Sequence, residues 1–134
     1  MNGRYWPSWI YFKNKEKKLD LFYIHWSLAM VLAAMSGFCK KNKIPFMVTD
    51  MISTKEEDMA LGRVSSTHRT KRAADISVKG WSATDIEDFV RFWDGHEFNK
   101  NYGAVSRKTG KPRLVYYHDS GFGSHCHVQV KIQD

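Results

Sequence analysis

The sequence predicts an α+β domain: a mostly antiparallel sheet with helices packed on one face. Three observations carry that expectation. A long apolar stretch, residues 21–39, stands early in the chain; Ile86, Phe89, Val90 and Trp93 recur at helical spacing; and the segments after residue 100 read as strands separated by turns. Helix, strand, helix and a closing run of strands is the element order of an α+β fold.

Residues 1–20 form an aromatic and basic arm in which Tyr5, Trp6, Trp9, Tyr11 and Phe12 precede a lysine cluster, and Pro7 argues against a long helix there. The arm is expected to pack onto the domain. Asp20 is the expected cap of a helix over residues 21–41, whose terminal lysines suit the helix dipole. This stretch approaches the length of a membrane span and follows lysines, as the apolar part of a signal sequence does. It also carries His25, Ser27, Ser36 and Gly37, and it is the main apolar mass available to cover a sheet. We therefore read it as a core helix, with no membrane partner and no export signal.

Residues 44–49 read as a strand, and residues 53–64 as irregular or one short helical turn. Over residues 73–79 the pattern alternates, Ala74, Ile76 and Val78 facing one way and Asp75, Ser77 and Lys79 the other. Ser82 with Asp85 makes a capping-box-like start for an amphipathic helix that runs to about Trp93 and ends at Gly95. Residues 102–106 and 113–118 read as strands joined by a basic turn. A second turn, residues 119–123, leads into the last strand, residues 124–132.

A chain of 134 residues is expected to be one domain, 1–134, able to build a core without metal or disulfides. Its 43% hydrophobic and 26% charged residues place it among soluble globular proteins. Two cysteines, Cys39 and Cys126, do not make a disulfide framework and read as reduced, partly buried thiols. A net charge of +7 favours polyanions such as nucleic acid, teichoic acid or a cell-wall surface. No recognition helix, RNP-like motif or zinc-finger spacing accompanies the charge, so specific nucleic-acid readout is not expected.

The chemistry is expected in two motifs, His68 with Asp75 and the pair His125 and His127. Residues two apart in a strand share a face, so His125, His127 and Gln129 lie opposite the apolar set Cys126, Val128 and Val130. The apolar set must face the core. The histidines then sit on the polar face, roughly 6–7 Å apart at the backbone, and Cys126 points away. Asp75 lies on the polar side of its own strand, and the loop after His68 allows that imidazole to return to it. His68, Asp75 and His127 would form a zinc triad with an open fourth position, the arrangement of a catalytic rather than a structural site. His25, His96 and His118 read as surface or satisfied core residues.

The segment from Ser66 through His68 to Asp75 resembles the first signature of the zinc D-Ala-D-Ala carboxypeptidases and phage L-alanyl-D-glutamate endopeptidases, Ser-x-His-x-x-Gly-x-Ala-x-Asp. His125-Cys126-His127-Val128 resembles the His-x-His ending shared with their wider superfamily, which includes lysostaphin-type peptidases. The resemblance covers these two motifs, their order and the layout of residues 20–132. It implies a hedgehog/DD-peptidase-like fold, His68, Asp75 and His127 as zinc ligands, and His125 as the residue that orients or protonates groups around the scissile amide. The implied substrate is the peptide part of peptidoglycan.

Three departures from the family pattern matter. The family glycine is Lys71 here. An acidic residue acting as general base in many members is replaced by Ser124, leaving His125 or Asp119 as substitutes. The arginine that binds a substrate carboxylate has no clean counterpart, which makes Arg63 and Arg69 the candidates. The leading expectation is a zinc-dependent wall peptidase of phage origin, an endolysin in the host cytoplasm before release or a virion-associated hydrolase. The alternative is a virion or wall-binding protein that keeps the metal without turnover. A nucleic-acid module rests on charge and aromatic content alone.

Overall fold

The computed structural model describes residues 10–13, 20, 23–51, 59–60, 71–120 and 123–131. These build an α+β fold around one five-stranded sheet, mixed but mostly antiparallel. The strands are β1 (Tyr11–Phe12), β2 (Met47–Asp50), β3 (Ala73–Ser77), β6 (Val115–Ser120) and β7 (Gly123–Gln129), in spatial order β1-β2-β3-β7-β6. A two-stranded ribbon pairs β4 (Ala104–Val105) with β5 (Pro112–Arg113). The helices are α1 (Trp26–Lys41), α2 (Ala83–Asp94) and α3 (Glu97–Tyr102).

The long apolar stretch forms a core helix that starts later than its composition suggests. Asp20 closes a separate turn, its carbonyl accepting from the amides of Tyr23 and Ile24 at 2.9 and 3.1 Å. His25 is the N-cap of α1 instead, its Nδ1 accepting from the Ser27 amide. Ser27, Leu28, Val31, Leu32, Met35, Ser36 and Cys39 make the buried stripe, and Lys40 and Lys41 stand at the C-terminal turn. Small residues on the outer side leave Gly37 exposed, so the helix lies along the core without being surrounded by it. Among the described residues no helix is long and apolar enough to cross a membrane.

Helix α2 follows its sequence signals closely. The Asp85 amide donates to Ser82 Oγ at 3.0 Å, and the Ser82 amide donates to Asp85 Oδ2 at 2.9 Å, so aspartate completes the capping box. Phe89 and Trp93 are buried and meet Phe38 of α1 edge-on, with ring centroids 5.8 and 6.1 Å apart. This aromatic seam joins the helices to the sheet face formed by Val48, Ala74, Ile76, Val115, Cys126 and Val128 in one hydrophobic core. Burying side chains of this size is worth about 1.5–3 kcal/mol each, which makes the seam a principal source of stability.

Residues 97–102 form α3, which takes Tyr102 from the strand expected over residues 102–106, and of that strand only Ala104–Val105 is extended. Phe98 and Tyr102 sit four apart and touch, with centroids 5.7 Å apart, while His96 caps the helix through Nδ1 to the Phe98 amide. The expected strand over 113–118 is interrupted at Leu114, whose amide donates to the Asn99 side chain at 2.8 Å and leaves the ladder. The last strand ends at Gln129, and Val130 continues as an isolated bridge to Gly103. Of the aromatic arm, Ile10 is buried and β1 adds to β2 as a parallel edge strand, while Tyr5, Trp6 and Trp9 lie outside the described residues.

Candidate metal centre

Strand β7 lies between β3 and β6, and its register lines up two rows of side chains on the face turned away from the core. One row is Asp75, His127 and Tyr116; the other is Ser77, His125 and His118. The opposite face holds Ile76 against Cys126 and Ala74 against Val128, all buried. The alternation that drove the apolar set inward thus set the histidines facing out. Both cysteines are free and buried, and burial pushes each thiol up to about 12. They belong to the core, not to the metal centre.

Asp75 carries the convergence. Its Oδ1 lies 3.0 Å from His127 Nδ1 and 3.6 Å from His125 Nε2. One donor atom from each of the three residues lies within 4.8 Å of the others, so Asp75, His125 and His127 can hold a metal ion. Zinc bonds to nitrogen and oxygen of about 2.0–2.1 Å set tetrahedral neighbours roughly 3.3 Å apart, a spacing that the two measured pairs bracket. Burial differs usefully: the side chains of Asp75 and His127 are each 8% exposed, that of His125 23%. The aspartate and His127 are embedded, while His125 meets solvent.

A β-bulge adjusts the aspartate's surroundings. Val48 pairs with Ile76 but Asp50 pairs with Asp75, so β2 carries one residue more than β3 across this step. Thr49 Oγ donates to the Asp75 carbonyl at 3.2 Å, and the bulge brings Asp50 opposite Asp75. Bulges of this kind re-aim side chains beside sites.

His68, expected as the first ligand, and the arginine candidates Arg63 and Arg69 lie outside the described residues. His125, expected as a catalytic residue, stands within ligand range of the metal centre. Asp119 is corrected as a substitute base: it sits one residue out of phase with His118 and accepts from Ser124 Oγ at 2.6 Å. Ser124 is likewise out of phase with His125 and His127. A side chain at either position faces the other side of the sheet.

Lys71 holds φ at 64°. An L-residue in this left-handed region is strained by about 1–2 kcal/mol, whereas glycine adopts it freely. Lys71→Gly is expected to raise stability by about 0.5–1 kcal/mol after the extra entropy of unfolded glycine is offset. A urea midpoint measures this, and a lowered midpoint would show that the lysine side chain contributes more than its backbone strain costs.

Three residues around the site were not singled out from sequence. Tyr116 packs against His127 with ring centroids 4.9 Å apart, and the Arg113 guanidinium lies over the Tyr116 ring, 4.5 Å from its centroid. Burial, opposed by Arg113 and reinforced by Asp75, raises the Tyr116 phenol above its usual range and keeps it a hydrogen-bond donor. His118, expected as an ordinary surface histidine, is exposed yet stands 5.3 Å from His125 between ring centroids. The phase of the expected strand 113–118 held this signal, since Tyr116 and His118 share a face in any strand. No family model, curated protein or solved structure matches the chain.

Proposed function

We propose that the chain is a zinc-dependent peptidase that cleaves an amide bond in the peptide of peptidoglycan, acting as an endolysin or a virion-associated wall hydrolase. The observation that carries this reading is the pairing of Asp75 with His127 across β3 and β7, with His125 beside them on the solvent side. Nitrogen and oxygen donors without a thiolate suit zinc in a hydrolytic role. The left-handed backbone at Lys71 adds support, because the wall-peptidase signature has glycine there.

Asp75 and His127 would hold the ion, with His68 completing the set that the signature implies and His125 on the open side. The chemistry that zinc supplies is Lewis acidity, which polarises a carbonyl and makes a water nucleophilic near neutral pH. His125 is the residue placed to move a proton, since its ring reaches solvent and lies within ligand range of Asp75. Tyr116, kept protonated, offers an O–H to the substrate carbonyl, and the Arg113 guanidinium over its ring offers positive charge to a carboxylate of the wall peptide. The net charge of +7 favours the anionic wall.

The test is digestion of purified peptidoglycan, with released muropeptides read by mass spectrometry for the wild type, His68→Ala, His127→Ala and chelator-treated protein. New termini are expected from the wild type alone, at least 100-fold above the others, as suits removal of a group acting at the reaction centre. Full activity in both variants would refute the proposal.

A second reading is a virion or wall-binding protein that keeps a metal without turnover. Its specific support is the Asp119–Ser124 hydrogen bond on the other sheet face, which denies the site Asp119, the acidic candidate for a base. Stoichiometric zinc without any muropeptide product is the outcome that would favour it.

A further inference from the structure

Beyond the ligands themselves, the structure assigns Gln129 as the positioning residue that fixes the tautomer of His127 and so makes Nδ1 its metal-binding atom. The inference rests on the metal centre proposed above and deepens it. Gln129 follows His127 by two residues on β7 and shares its face. Its amide bridges two groups: Nε2 donates to the main-chain carbonyl of Arg113 at 3.2 Å, and Oε1 lies 3.2 Å from His127 Nε2.

The order of deduction begins at Arg113, because a main-chain carbonyl can only accept. The Gln129 atom facing it must be the nitrogen, which leaves the amide oxygen facing the imidazole. An amide oxygen can only accept in turn, so His127 Nε2 must carry a proton. In a neutral ring the other nitrogen, Nδ1, then presents its lone pair. That lone pair points at Asp75 Oδ1, 3.0 Å away, another acceptor. Two acceptors this close need a cation between them. A proton meets this need, and so does a divalent metal, for which Asp75 and His127 are two of the grouped donor residues.

Gln129 therefore prepares the site for metal by a hydrogen bond behind the ligand. Outer partners of this kind orient a ligating imidazole and raise its basicity, and their loss commonly lowers metal affinity 10–100-fold. Strand β5 enters the device through the Arg113 backbone alone, which keeps it indifferent to the side chain at position 113.

The experiment is a zinc titration against a chromophoric chelator with wild type, Gln129→Leu and Gln129→Glu, each first checked for an unchanged far-UV spectrum. Gln129→Leu, which cannot accept the Nε2 proton, is expected to bind zinc 10–100-fold more weakly. Gln129→Glu keeps an acceptor for the Nε2 proton while losing the donor to the Arg113 carbonyl, and is expected to bind zinc more tightly than Gln129→Leu. Nitrogen-15 spectra of the imidazoles in zinc-loaded wild type read the tautomer without any substitution. A proton on Nε2 of His127 is expected, and a proton on Nδ1 overturns the inference. Equal affinity in wild type and Gln129→Leu overturns it too, while leaving the metal centre standing. A wild-type chain that takes up no zinc sinks the metal centre and this inference with it.

Discussion

Replacing Asp75 with asparagine is expected to abolish metal uptake while leaving the metal-free fold near wild-type stability. Asparagine has nearly the same shape, and its amide N–H can donate to His127 Nδ1 where the carboxylate oxygen now stands 3.0 Å away. A hydrogen bond of this kind is worth about 1 kcal/mol net, so the unloaded protein changes little. What asparagine lacks is the negative oxygen that faces both histidines. The affinity loss should exceed the 10–100-fold typical of outer partners, because a direct ligand is removed. Binding to the folded state alone stabilises by about 4 kcal/mol when free zinc is 1,000 times its Kd. Melting curves with and without zinc should therefore show a large upward shift for wild type and none for Asp75→Asn. Asp75→Ala is the contrasting variant: it strands His127 Nδ1 beside a small void and should cost about 1–3 kcal/mol even without metal. An equal zinc-induced shift in wild type and Asp75→Asn would remove this carboxylate from the ligand set.

The arrangement of this face was legible in the sequence because strand phase is a local property. Cys126 and Val128 are apolar and alternate with two imidazoles, and that pattern decides which side is buried whatever the neighbours are. The same holds for Ala74 and Ile76 around Asp75, and for Ser82 and Asp85, whose hydrogen bonds span three residues. Features set by distant partners were not legible. Nothing near Thr49 announces a bulge, since its hydroxyl bonds the carbonyl of Asp75, 26 residues on. The interruption at Leu114 depends on Asn99, fifteen residues earlier. Asp20 has the cap chemistry, yet His25 caps α1, and the His25 amide bonds the carbonyl of Lys71. Residue type alone cannot rank two caps when tertiary contacts choose between them. Helix α3 was not legible for a different reason: Phe98 and Tyr102 stand at helical spacing, but a run of six residues is too short for periodicity to mark it.

Gly103→Ala tests how the same distant contacts support the site, and it is expected to destabilise the fold by about 1–3 kcal/mol. The backbone at Gly103 has φ −64° and ψ 138°, which any residue adopts, so the demand for glycine is steric. A Cβ there would meet the Asn99 carbonyl oxygen at 2.6 Å, Asn99 Oδ1 at 2.7 Å and the Leu114 amide at 3.0 Å. The carbonyl accepts from the Gly103 amide, and Oδ1 holds the buried Leu114 amide at 2.8 Å. Relief by swinging Asn99 away strands that amide at about 1–3 kcal/mol, and relief by backbone shift costs a similar overpacking penalty. Urea unfolding measures the cost, and a change under about 0.5 kcal/mol, the range of surface substitutions, would show that the corner yields freely. The disturbance should also travel. The Leu114 carbonyl accepts from the Gln129 amide at 2.8 Å, and Gln129 is bonded to His127. If the fold survives, Gly103→Ala should bind zinc more weakly although it touches no ligand, because it displaces the strand that presents Gln129. Unchanged affinity in a folded but destabilised Gly103→Ala protein would show that the metal face is insulated from the α3 corner.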